Sequence, residues 1–372
     1  MKKLIISPDK FKGTLTSPEI CDITEEQFKA QFPGLQVIKL PIADGGDGTA
    51  ECFLCHDGAM KMPCKVSNPF FELIDSYYVT VGKTAVIETA MYAGLALAGD
   101  RKNPLTTTTY GVGQAALEAI KNGAEKIIFA LGGSVTNDMG CGLLCAMGAK
   151  FYDKNKNAFI PTGKTLCDIC NFDTTELQYN TRNVEFEVMC DIDNVLFGKD
   201  GAAYVFAPQK GADSQEVILL DRGLRHLSEL FTKVTGRDIS SVAGAGAAGG
   251  MGAGLFGFLN ATLRSGIEVV LDAVDFDNLL KDCDMVITGE GKLDSQTMGG
   301  KVIYGIAKRC KKQNVRLVAI CGDTFSCPEE IYDIGVTSVF SINTSPMPFE
   351  QAKDFSRRNL TATVKNIAKL LN

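Results

Sequence analysis

Short apolar runs of β type, alternating with amphipathic helical stretches, constrain this chain more than any other feature. Nine such runs stand out: KLIISP, VIKLPI, SYYVTV, AVIETA, KIIFAL, FEVMCDI, DMVITG, RLVAICG and SVFSIN. Strands that alternate with helices build parallel α/β sheets. The intervening helices carry end signals: Ser17 is a good N-cap with Pro18 at the first helical position, and VGQAALEAIKNG stops at Asn122-Gly123. At 372 residues the chain is long enough for two domains of roughly 100–200 residues each. No linker marks the border. Both ends of the chain read as simple β-α units, whereas the middle holds paired strands around 77–89, irregular polar segments near 151–182 and a glycine-rich run. The expected layout is a discontinuous α/β domain from residues 1–75 and 281–372, with a second α/β domain, 76–280, inserted.

Charge excludes some functions. Thirty-eight basic against forty-four acidic residues give a net charge of −6, without a basic run, which argues against a general nucleic-acid binder. MKKLIISPDK has too few apolar residues for a signal segment or a membrane span, so a cytoplasmic protein without membrane partners is expected. Its thirteen cysteines would be reduced there. CFLCH at 52–56 spells a haem-attachment site, but that chemistry needs export. A zinc ribbon needs cysteine pairs about 15–20 residues apart, and the second pair, Cys167 and Cys170, is too distant. Buried structural thiols are the expectation, with Cys52 and Cys55 in a helix that ends at Gly58.

In open α/β sheets ligands bind beyond the carboxyl ends of strands. Six strands here deliver polar loops at that place: PDKFKGTLTS, ADGGDGT, GGSVTND, DIDN, GEGKLDSQT and GD. The two histidines, His56 and His226, lie outside them, and no G-x-S-x-G elbow occurs, so a histidine triad is improbable. Glycine-exposed amides, lysines and aspartates are what phosphates and Mg²⁺ require, where catalysis is mostly positioning and charge neutralisation. An aspartate can also accept a proton from a substrate hydroxyl.

The stretch SSVAGAGAAGGMGAGLFGFLNATL, 240–263, carries seven glycines, each costing about 1 kcal/mol against alanine inside a helix. GAGAAG matches the dinucleotide fingerprint, with Glu268 near the place of a ribose-binding acid, which would suit a dehydrogenase; RDISSVA before it is a poor strand. Close packing of a small-residue helix is a second reading. The favoured one is a loop opening a helix at 252–263, its amides and dipole facing an anion.

Taken in order, PDKFKGTLTS, PIADGGDGT, LGGSVTNDMGCG, CDIDNVLFGKDGAAYVFAPQKGA, GAGAAGGMGAGL and VITGEGKLDSQTMGGK resemble the signature stretches of the bacterial-type glycerate kinases, from Pro8 through Asp323. The resemblance implies a flavodoxin-like domain formed by both termini and a second α/β domain, with the active site in the cleft between them. It implies ATP and Mg²⁺ as cofactors and D-glycerate as the acceptor. It implies Asp191 and Lys12 in catalysis, Asp191 either taking the hydroxyl proton or holding Mg²⁺. Substrate would fall to Asp44, Gly45, Ser134, Thr136 and Asn137, and nucleotide to Gly244, Gly246, Gly249, Gly250 and Glu290. The sequence departs from the family pattern at Lys10, Asp47 and Val195, where a small residue, a glutamate and a proline are usual. A non-catalytic sensor on the same fold is the alternative class. Monomer and homodimer, and the 2- and 3-hydroxyl of the acceptor, stay equally open.

Overall fold

The computed structural model describes residues 1–43, 45–56, 58–293, 302–324, 327–345 and 347–372. The chain divides into two compact units. The first comprises Met1–Asp44, Glu51–Asp57 and Ser265–Asn372; the second comprises Gly45–Ala50 and Gly58–Arg264.

Among the described residues the first unit holds a five-stranded sheet of β1 (Lys3–Ile6), β2 (Gln36–Lys39), β12 (Met285–Lys292), β13 (Arg316–Asp323) and β14 (Ser338–Ser341). Every pairing is parallel, and the spatial order is β14-β13-β12-β1-β2. Counted within the unit this is the 2-1-3-4-5 order of flavodoxin, whose switch point lies between its first and third strands, here β1 and β12. Leu4, Ile6, Met285, Ile287 and Ile320 face a core closed by the helices Ser17–Gln31 and Ser356–Leu370. The first of these helices starts one residue earlier than the sequence suggested. Thr16 is its cap, forming a reciprocal box with Glu19, because the Ser17 hydroxyl donates instead to the carbonyls of Pro8 and Ile42 at 2.6 and 3.0 Å.

The second unit holds a six-stranded sheet ordered β11-β10-β6-β5-β4-β3. Its strands are β3 (Ala59–Ser67), β4 (Leu73–Val81), β5 (Thr84–Glu88), β6 (Lys126–Ala130), β10 (Glu185–Met189) and β11 (Thr262–Arg264). The last four strands in sequence run parallel, while β4 pairs antiparallel with both β3 and β5. A small antiparallel sheet of β7 (Lys150–Tyr152), β8 (Ala158–Phe159) and β9 (Asn171–Asp173) occupies part of the segment expected to be irregular.

The compact units part at 57/58 and 264/265, not at 75/76 and 280/281. Residues 59–67 pair with β4 along their whole length, which ties them to the second sheet. The helix Gly266–Ala273 packs in the first unit, where a Cβ on Gly305 of the helix Val302–Gln313 would lie 2.6 Å from Ile267. The helix at 49–54 ends at Leu54, short of Gly58.

Candidate active site

In the second unit Glu88, Ala130 and Met189 share one register level across β5, β6 and β10. The loops that follow these strands therefore emerge along one edge, where ligands of parallel sheets bind. Two glycine-rich segments meet there backbone to backbone. The Gly132 N–H donates to the Gly45 carbonyl at 2.9 Å, and a Cβ on Gly132 would lie 2.5 Å from the Gly46 Cα. Gly45 has φ +88° against Met189, a backbone that disfavours any side chain. The buried Glu88 carboxylate accepts the Gly48 and Ala50 N–H groups at 3.1 and 2.8 Å, docking the segment Gly45–Ala50 onto the end of β5.

The loop after β6 carries the densest polar burial. Ser134 is 4% exposed, and Thr136, Asn137 and Asp138 are fully buried. Asp138 accepts the N–H and hydroxyl of Thr109 at 2.9 and 2.8 Å and the N–H groups of Gly140 and Gly142 at 3.1 and 3.3 Å. Burial still raises its carboxyl above the ordinary range, against the pull of those bonds. Thr136 Oγ1 and both amide atoms of Asn137 have no hydrogen-bond partner among the described residues. Such orphans cost about 1–3 kcal/mol each, so three of them in one loop mark it as a candidate site.

Behind this loop lies Lys210, 2% exposed, whose Nζ donates to Ser134 Oγ at 3.0 Å and to the Thr136 carbonyl at 2.8 Å. Burial pushes its ammonium down to about 7, with Asp138 pulling the other way.

Asp191 and Asp193 follow β10 and are exposed. Between β10 and Asp191, burial pushes the Cys190 thiol up to about 11, and the two aspartates add to that shift. The glycine-rich run stitches this loop to the one after β6. The Gly246 N–H donates to the Asn194 carbonyl at 2.9 Å, and a Cβ there would lie 2.4 Å from the Val195 carbonyl. A Cβ on Gly244 would meet Cys190 Sγ at 2.7 Å, and one on Gly249 would meet the Thr136 carbonyl at 2.1 Å. Gly250 faces Leu196 and Leu224 in the same way. Ala248, Gly249 and Gly250 are left-handed, so regular helix begins at Met251 and runs to Leu259. These glycines admit close backbone approach, and the Gly246 amide is already engaged. Regular helix thus starts one residue before the expected 252.

In the first unit Lys12 is exposed at the tip of a turn closed by Phe11 and Leu15, whose main chains bond at 2.8 and 3.1 Å. A Cβ on Gly291 would lie 3.2 Å from the Lys12 nitrogen, so this turn rests on the end of β12, at the switch point. Gly289, Glu290, Gly291 and Lys292, expected as a loop, continue β12, and Glu290 is buried within it. The glycines allow this, since a Cβ on Gly289 would press to 2.1 Å from the Ile320 carbonyl. Beyond β13 and β14 opens a hollow of about 650 Å³ lined by Asp323, Thr324, Ser341, Asn343 and Thr344 among others. Asp44 and residues 294–301, which include most of LDSQT, lie outside the described residues.

A sequence model described as the glycerate kinase family matches residues 4–372. The chain belongs to the glycerate kinase family. It is 39% identical over 369 residues to the glycerate kinase of Bacillus subtilis, across 98% of this chain and 97% of that one. The glycerate 2-kinase of Escherichia coli is 37% identical over 372 residues, with 99% and 98% covered. A crystal structure assigned to glycerate kinase 2 of Salmonella typhimurium LT2 matches with a TM-score of 0.88 at 36% identity, covering 100% of this chain and 98% of that one.

For this kinase, sequence reasoning assigned no role to Lys210, Asp138 or Glu88. Lys210 had a signal: Ala203, Ala207 and Lys210 follow helical spacing, and the two alanines are fully buried, which puts the lysine on the apolar face. The thiols depart from expectation. Cys52 is buried, but Cys55, Cys167 and Cys170 are exposed, because the short helix Thr49–Leu54 and the turn at Gly163–Asp168 leave them at the surface. No helix among the described residues is long and apolar enough to cross a membrane.

Proposed function

We propose that this kinase transfers the γ-phosphoryl group of ATP to the 2-hydroxyl of D-glycerate. The observation that carries the reading is the loop after β6, where Thr136 and Asn137 keep buried hydrogen-bonding atoms without partners among the described residues. A small hydroxy acid, dense in oxygen, satisfies such a site. In this reading Ser134, Thr136, Asn137 and Gly45, with Asp44, hold glycerate. Asp191, at the end of the next parallel strand, accepts the proton of the attacking hydroxyl. The 2-hydroxyl is taken from the name of the Escherichia coli relative.

Lys12 sits at the switch point of the flavodoxin-like sheet and neutralises charge on the polyphosphate, with Glu290 close by on β12. Gly244, Gly246, Gly249 and Gly250 serve the nucleotide indirectly, by fixing the loops they pack against. Asp191 and Asp193 carry carboxylate oxygens of the kind that would hold Mg²⁺, which would supply charge neutralisation for phosphoryl transfer. Asp191 then has two duties open to it, proton acceptor or cation ligand. In either, its ionised carboxylate is the working form. The kinase works in the cytoplasm, on small molecules.

Mixing the protein with ATP, Mg²⁺ and D-glycerate should release ADP, and ³¹P NMR should show 2-phosphoglycerate. ADP release with the 3-phosphate would correct the regiochemistry. No glycerate-dependent ADP, with nucleotide still bound, would turn the reading towards a sensor.

A further inference from the structure

Lys210 stands behind the Ser134 loop. Burying an ammonium costs stability, and a methionine of similar length would fill the space without that cost. Hydroxyl chemistry gives the lysine a reason to be there. A serine hydroxyl has one O–H and two lone pairs. Lys210 occupies a lone pair of Ser134 at 3.0 Å, so the O–H donates elsewhere, and no acceptor for it is present among the described residues. The Thr136 carbonyl, which would repel an incoming anion, is held by the same ammonium at 2.8 Å. The carboxylate that weighs against this charge, Asp138, is itself satisfied by four donors.

We propose that Lys210 is a positioning residue that turns Ser134 into a hydrogen-bond donor for the carboxylate of the acceptor hydroxy acid and backs that donor with positive charge. This rests on reading the Ser134 loop as the acceptor site. An arriving carboxylate also favours the charged form of a buried lysine, so the two reinforce each other. The site then discriminates: D-glycerate binds, while its neutral amide loses the attraction.

The test compares Lys210→Met, Ser134→Ala and the double variant by kcat, by KM for D-glycerate and for ATP, and by thermal melting. Each single variant should raise the KM for D-glycerate about tenfold or more, the effect of losing a charge-assisted hydrogen bond. The KM for ATP should stay close to native in each variant, as should the melting temperature of Ser134→Ala, while Lys210→Met should melt no lower than native. The double variant should add no more than about twofold, since both substitutions remove one device. A native glycerate KM in Ser134→Ala sinks the acceptor-site reading itself. An impaired Ser134→Ala beside a Lys210→Met with native KM sinks only the role of Lys210, as do fully additive losses. If neither Lys210→Met nor Lys210→Gln folds, Lys210 is a structural cation and the proposal fails.

Discussion

Two lysines at the ends of parallel strands show two ways of arranging charge. Lys12 sits on a five-residue turn in water, closed through the backbone of Phe11 and Leu15. Lys210 is sealed behind the loop after β6, with two fixed acceptors. The exposed lysine is cheap to keep, and in the proposed reading it adapts to a mobile polyphosphate. The buried one costs stability, and in that reading it holds a rigid geometry for a small acceptor. Solvated charges and buried polar geometry thus divide the work, and substitutions in the two regions should fail in different ways.

The largest contrast is with pH. Below about 7 Lys210 is protonated whether folded or unfolded, and the burial penalty is complete. Between 7 and the ordinary 10.5 the unfolded chain still binds the proton while the folded one releases it. Native stability should therefore climb relative to Lys210→Met by up to about 1.4 kcal/mol per pH unit across that window. Asp138 is the charged group facing Lys210, and it is present in both proteins. Parallel denaturant titrations from pH 6 to 10 give the slope, and a flat difference would mean Lys210 is solvated.

Asp191→Asn, on the solvated side, should melt like native protein yet lose about 100-fold or more in kcat, within the usual range for a general base. Turnover near native would remove Asp191 from any essential role. Gly249→Val should do the reverse. Its new Cβ collides with the Thr136 carbonyl at a φ of +69°, so stability should fall by roughly 1–3 kcal/mol, with nucleotide affinity intact in the folded fraction. Calorimetry of ATP binding beside thermal melting separates this from an anion-binding glycine loop, which would lose ATP and keep its melting point. The smallest effect is expected for Lys12→Ala, about tenfold in substrate affinity for one lost charge contact, at unchanged stability. A lower melting point with normal kinetics would make the turn structural.

Every one of the nine apolar runs read from the sequence is a strand, because each is bounded by turn residues; all but SYYVTV, which turns straight back into β5, are followed by helical residues. Residues 59–67 escaped notice because Pro63 and two lysines interrupt the run. The sheet tolerates them since β3 is its edge, where a proline needs no partner. The extension of β12 through GEGK escaped for the opposite reason, glycine being taken as loop when it allows strand against strand. Ser134, Thr136 and Asn137 were legible as polar residues beyond a strand end. Lys210 was missed: its helical spacing from Ala203 and Ala207 pointed inward, but a lysine there reads as solvent-facing until burial is known. The glycine run showed its bare backbone in the sequence, but not the close approach of Thr136, Val195 and Cys190 to it, because sequence does not say whether water, ligand or another backbone lies against a glycine.

The pairing of β1 with β12 joins Leu4 to Met285 and Ile6 to Ile287. A ribosome making this chain therefore releases β1 and β2 long before their remaining sheet partners exist. Two parallel strands alone are too few to bury a face, so the first unit must wait, with unpaired edges, while the second unit is synthesised and can close on contacts it already owns. The window of exposure ends only when the last hundred residues emerge, about 15–60 seconds later at usual elongation rates. Chaperone demand and truncation damage should concentrate in the first unit, and a circular permutant that makes 265–372 contiguous with 1–44 should refold with less aggregation.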